Sequence, residues 1–103
     1  MNEKRSEMCF LFDFYGSLLS ERQRDVLDLY YNDDLSLSEI AENLSITRQA
    51  VRDAVLHGEE YLLRLEEKLG MAGRFKEVRA IAKRIISLSA DENVIKEAEK
   101  LLN

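Results

Sequence analysis

Residues 47–52 read Thr-Arg-Gln-Ala-Val-Arg, and this short stretch has the chemistry to grip a polyanion. The guanidinium forks of Arg48 and Arg52 suit guanine edges or phosphate oxygens, and the amide of Gln49 suits adenine. Thr47 stands just ahead of them as a helix N-cap, a position worth ~1 kcal/mol to the helix it opens. At helical spacing Val51 turns inward, and Arg48, Gln49, Ala50, Arg52 and Asp53 remain with Thr47 on the outer face. The chemistry implied is recognition, with no bond made or broken. Opposing it, Asp53, Glu59 and Glu60 follow within two turns. They are expected to face or flank the phosphates and to offset what Arg48 and Arg52 gain.

A second basic group lies downstream. Lys76, Arg79, Lys83 and Arg84 are expected on an arc opposite Phe75, Val78, Ala82 and Ile85. Such an arc either holds a nucleic-acid backbone, which needs charge but no base code, or is a solvated face. The other reactive residue types are sparse. His57 is the only histidine and Cys9 the only cysteine, so no disulfide within the chain or thiolate metal cage can form. His57 reads as a partly exposed helical residue, Cys9 as a buried thiol, and Asp33-Asp34 as turn acids bonding nearby backbone. The sequence contains no Gly-rich phosphate loop, HExxH, CxxC or nucleophile elbow. The expectation is a protein that is not an enzyme and uses no cofactor and no metal.

The elements that must position these residues are helical. The 103 residues include no proline and four glycines, and 46% are hydrophobic against 34% charged. Strong helix formers dominate, and β-branched residues never alternate with polar ones as a strand requires, so the class is all-α. The longest apolar run, Met8 to Phe12, is far below the ~20 residues that span a bilayer, and no signal-peptide core is present. A cytoplasmic protein without membrane insertion is expected. Net charge is −5. Residues 17–70 hold 6 basic and 12 acidic residues, whereas residues 71–103 hold 7 and 5. Nucleic-acid binders normally concentrate positive charge where they bind, so the first of these segments weighs toward a protein partner.

Six helices can be read. The first runs from Glu3 to Leu19, with Met8, Leu11, Phe12, Tyr15, Leu18 and Leu19 inward and Phe10/Phe14 forming a second stripe. Ser20-Glu21-Arg22-Gln23 and Ser36-Leu37-Ser38-Glu39 are capping boxes that open the second and third helices. Ser45-Ile46-Thr47 is a three-residue turn into a long fourth helix, Arg48 to Leu69. Val51, Val55, Gly58, Leu62, Leu65 and Leu69 give that helix a coiled-coil-like seam. Gly70-Met71-Ala72-Gly73 is the expected hinge. Phe75, Val78, Ile81, Ala82, Ile85 and Ile86 define a fifth helix. Ser89-Ala90-Asp91-Glu92 caps a sixth, with Val94, Ile95, Ala98, Leu101 and Leu102 inward.

Two helices joined by three residues are the helix-turn-helix layout. Ala41 lets the pair cross closely, while Ile40, Leu44, Ile46 and Val51 lock it. SLLSERQRDVLDLYYNDDLSLSEIAENLSITRQAV resembles region 4 of bacterial sigma factors. The longer stretch LFDFYGSLLSERQRDVLDLYYNDDLSLSEIAENLSITRQAVRD is closer still to the YlxM-like proteins, small relatives usually encoded beside signal recognition particle components. The resemblance covers about residues 8–70, carried by FDFY, LYYNDDLSLSEIAE and TRQAV. It implies a sigma-region-4-like helix-turn-helix and a regulatory role in the signal recognition particle pathway. Ser45 stands where many helix-turn-helix proteins keep glycine, so an αL-tolerant or slightly altered turn is expected there.

The resulting expectation is an all-α bundle: residues 1–70 a sigma-region-4-like domain, residues 71–103 a helical hairpin packing on it. Thr47, Arg48, Gln49 and Arg52, with Lys76, Arg79, Lys83 and Arg84, are the candidate contacts for DNA or signal recognition particle RNA. A signal recognition particle protein is a further candidate partner. Phe10, Phe14, Leu62, Leu65 and Leu69 are the candidate homodimer interface. The alternative is a protein-interaction module, or dimerising adaptor, that has lost DNA binding.

Overall fold

Serine opens the second and third helices in the same way. Ser20 Oγ accepts from the Gln23 backbone N–H at 3.2 Å, and the Gln23 side chain accepts in return from Ser20 N–H. Ser36 and Glu39 repeat the exchange at 3.1 and 2.9 Å. Hydrogen bonds from the Ser36 backbone N–H, then from its hydroxyl, hold the Glu39 carboxyl below the usual carboxylate range. Each box satisfies two backbone N–H groups that a helix start would otherwise leave unpaired.

The computed structural model describes residues 3–103, which form six α-helices and two 3-10 turns, with no strand among them. The helices are α1 (Glu3–Tyr15), α2 (Glu21–Tyr31), α3 (Leu37–Leu44), α4 (Arg48–Leu69), α5 (Met71–Leu88) and α6 (Glu92–Glu99). The 3-10 turns are Gly16–Leu18 and Lys100–Leu102. The first helix is therefore shorter than its apolar pattern suggested. Gly16 begins a tighter turn that leaves Leu18 exposed and returns Leu19 to the core.

The chain divides into two compact units, one ending at Leu69 and the other running Gly70–Asn103. In the first, α4 is the common neighbour of α1, α2 and α3. Met8, Val26, Leu27, Ile40, Val51 and Leu62 are its largest fully buried side chains, drawn from all four helices. Gly58 lies where α2 crosses α4: a Cβ there would meet a Leu27 methyl at 2.9 Å. The glycine that weakens the helix by ~1 kcal/mol is the one that lets the crossing close. Arg5 ties α1 to the end of α2, donating to the Tyr30 carbonyl at 2.6 Å and to Asp34 at 3.0 Å. One of the two turn acids thus has a cationic partner.

The second unit is a hairpin of α5 and α6 closed by the Lys100–Leu102 turn. Gly70 alone, at φ 61°, breaks the backbone between α4 and α5. The helix break is thus one residue long where four residues were expected to form a hinge, and Gly73 belongs to α5. Asp91 rather than Ser89 is the N-cap of α6, accepting from Asn93 N–H at 2.8 Å. The inward stripes expected of α5 and α6 are only partly covered. Ala72, Ala82 and Ala98 are the buried residues, while Phe75, Ile81, Val94 and Leu101 are exposed.

Candidate nucleic-acid interface

The turn between α3 and α4 sets the direction of the recognition stretch. Ser45 adopts the left-handed conformation (φ 56°, ψ 44°), and its N–H returns to the Glu42 carbonyl at 3.3 Å. Ile46 N–H bonds to the Ala41 carbonyl at 3.0 Å. Together these form a Schellman-type end that satisfies the last carbonyls of α3. Serine does here what glycine does more cheaply, at ~1 kcal/mol of backbone strain. Thr47 then caps α4: its Oγ1 accepts from Ala50 N–H at 3.0 Å and its carbonyl from Val51 N–H at 3.1 Å. Ile40, Ala41 and Val51 are buried at the crossing, so the start of α4 is held on its inner side.

On the outer side Thr47, Arg48, Gln49, Arg52 and Asp53 are all exposed. Among the described residues no ion pair engages Arg48 or Arg52. Gln49 is committed differently: its Nε2 donates to Asp53 Oδ1 at 2.9 Å, one turn along the helix. The amide that would read a base edge is tethered to a carboxylate. The start of α4 therefore presents two exposed guanidinium groups about one turn apart, at the positive end of the helix dipole, which favours anions.

Two of the carboxylates of α4 point elsewhere. Tyr31, buried on α2, donates its hydroxyl to Glu59. Burial, then the Glu59 carboxylate, push the Tyr31 phenol far above its ordinary range. Tyr15, buried on α1, donates to Glu66 at 2.5 Å. The expectation that Glu59 faces the phosphates is thus corrected: it answers a core tyrosine on the bundle side of α4. The signal was present in sequence. Glu59 and Glu66 are seven residues apart, on a row bordering the buried seam, and both tyrosines sit at core positions of their helices. Glu60 is exposed, beside His57, in a polar groove that Ser20 and Gln23 also line.

The basic arc on α5 is reduced by one member. Lys83 and Arg84 are exposed, and so is Lys76. Arg79 is half-buried, with its guanidinium 5.6 Å from the Phe75 ring centroid and donating to the Leu102 carbonyl. It shares the Phe75–Ala82 side, being four residues from one and three from the other, and fastens the end of the chain to α5. The proposed dimer seam also changes. Val51, Val55, Gly58 and Leu62 are buried within the first unit, Leu62 completely, because α4 packs against α1, α2 and α3. Leu62 is therefore not available to a second chain. Phe10, Phe14 and Leu65 are half-buried and Leu69 is exposed. Cys9, expected to be buried, is only partly so.

An all-α helix-turn-helix bundle is the class these features define. Residues 2–102 match the UPF0122 family, described as "Putative helix-turn-helix protein, YlxM / p13 like", and the chain belongs to that family. It is 44% identical over 100 residues to a UPF0122 protein of Bacillus pumilus (strain SAFR-032), covering 97% of this chain and 91% of that one. UPF0122 proteins of Bacillus cereus (strain AH187) and Bacillus anthracis (strain A0248) match at 43% identity with the same coverage. The match extends beyond the helix-turn-helix through α5 and α6, so the C-terminal hairpin belongs to the family as well.

Among the described residues no helix is long and apolar enough to cross a membrane. No group of three or more histidines, cysteines or acids among them is arranged to hold a metal ion.

Proposed function

We propose that this chain is a non-enzymatic, cytoplasmic accessory protein that contacts nucleic acid through the first turn of α4. The observation that carries the reading is the pair Arg48 and Arg52, exposed at a capped helix start within a helix-turn-helix. Helix-turn-helix proteins meet base edges with the N-terminal residues of their second helix. The tether of Gln49 to Asp53 removes one base reader, so backbone contact outweighs base reading. Affinity is weak, salt-sensitive and little dependent on sequence. Lys76, Lys83 and Arg84 supply additional phosphate contacts. Family resemblance to proteins encoded beside signal recognition particle components favours a regulatory role in that pathway, with DNA or the particle's RNA as the polyanion.

A second reading rests on a different observation. Beyond its first turn, the outer face of α4 exposes Leu56 and Leu63, seven residues apart, with Glu60 between them. That face suits a protein better than a phosphate backbone, and a signal recognition particle protein is the candidate partner. Charge reversal separates the readings. Arg48→Glu with Arg52→Glu abolishes binding to duplex DNA and to the particle's RNA if the first turn leads. Lys76→Glu with Lys83→Glu and Arg84→Glu abolishes it if α5 leads. Wild-type binding to neither nucleic acid, with retained binding to a particle protein, leaves only the second reading.

A further inference from the structure

The start of α4 carries two neighbouring rows of exposed side chains. Arg48 and Arg52, four residues apart, share one row, and Gln49 and Asp53, each one residue on, share the next. The rows differ in what they do at a duplex. The first offers two guanidinium groups, which meet any phosphate. The second offers an amide whose Nε2 donates to Asp53 Oδ1 at 2.9 Å. A free glutamine amide pairs with adenine in the major groove, donating to N7 and accepting from the N6 amino group. Here that amide is taken up by its own helix.

Asp53 is the one acid in the first two turns of α4, since Glu59, Glu60, Glu66 and Glu67 all follow Gly58. Helix stability gives little reason for it. An acid gains from the helix dipole within the first turn, and Asp53 is the sixth residue of α4. The bond that it accepts is of the weak, exposed i,i+4 kind. Opening that bond has a second consequence. The carboxylate is left without its donor beside phosphate oxygens and purine N7 atoms, and both repel it. Gln49 therefore reaches adenine only by exposing Asp53 to like charge. Given contact with nucleic acid through the start of α4, the role proposed above, we infer that Asp53 suppresses base reading at this interface. Without it, the same helix start binds duplex DNA more tightly and prefers adenine opposite Gln49.

The test is selection by the full chain from a duplex DNA pool with a randomised core, at low salt, followed by sequencing. Asp53→Ala, Gln49→Ala and the double substitution are compared with the wild type. Both sites are exposed and alanine favours helix, so all three variants keep their helical circular dichroism. The wild type and Gln49→Ala enrich no base. Asp53→Ala binds the unselected pool several-fold more tightly and enriches adenine at one position about tenfold. The double variant keeps the gain in affinity and loses the enrichment, which separates removal of a charge from release of the amide. Asp53→Ala that binds without enriching adenine overturns the inference and leaves the nucleic-acid role standing. So does enrichment that persists without Gln49, or adenine enrichment already present in the wild type. Binding to RNA alone also overturns it, because the A-form major groove is closed to side chains. A wild type that binds no nucleic acid removes the role and the inference together.

Discussion

The helices before Gly70 and those after it are built from the same kinds of amphipathic pattern, yet they bury very different things. Before it, Met8, Leu27, Ile40 and Leu62 are sealed among four helices. After it, the residues that disappear from solvent are Ala72, Ala82 and Ala98. An apolar stripe states which face of a helix can be buried, and the number of neighbours decides whether it is. In the first unit α4 has three partners, so even its glycine is in contact. In the second, α5 and α6 have each other and the short terminal turn.

Large-to-small substitutions break the comparison most sharply. Leu62→Ala should cost ~2–5 kcal/mol in a thermal or denaturant melt, through lost burial and the cavity left behind. Ile81→Ala, at an exposed site, should stay within ~0.5 kcal/mol. Equal losses would mean that the hairpin has a core of its own.

Overpacking comes next. Ala41→Leu at the α3–α4 crossing should cost ~1–3 kcal/mol, whereas Gln49→Ala on the outer face should lose only the tether, a few tenths. Two equally stable variants would remove the close crossing and the helix-turn-helix geometry with it. Tyr31→Phe should follow at ~1–3 kcal/mol, because the half-buried Glu59 carboxylate loses its donor. The same residue sets an alkaline limit. Its folded phenol titrates well above the unfolded one, so its contribution is complete below about pH 10 and falls as pH rises further. In Tyr31→Phe that alkaline loss should shrink, which melts above and below pH 10 would resolve. A last effect has the opposite sign: Ser45→Gly should stabilise by ~1 kcal/mol by relieving the left-handed turn.

Much of the first unit was legible because its signals are local. Both capping boxes, the Thr47 cap and the long α4 follow from residue types at fixed spacing, and Ser45 sits in the left-handed turn its position demanded. Three features depend on contacts between helices and escaped that reading. Glu59 looked like a carboxylate facing phosphate because its tyrosine partner lies 28 residues away. Leu62 looked like a dimer seam because a heptad pattern does not say whether its partner is another chain or the same one. Arg79 looked solvated because the Leu102 carbonyl that it donates to lies 23 residues away. Helical spacing locates a face; only packing assigns it.

In the proposed function Arg48 and Arg52 make the start of α4 an anion-binding surface. Fluorescence anisotropy of labelled duplex DNA, titrated with the full chain over a series of salt concentrations, tests that role. Each phosphate neutralised contributes about −0.9 to the slope of log affinity against log salt. The two arginines account for about −2 of that slope, so the Arg48→Glu/Arg52→Glu variant, with its helical signal intact, should lose it along with most of the affinity. A wild-type slope near zero, or a slope unchanged in the variant, would contradict the claim.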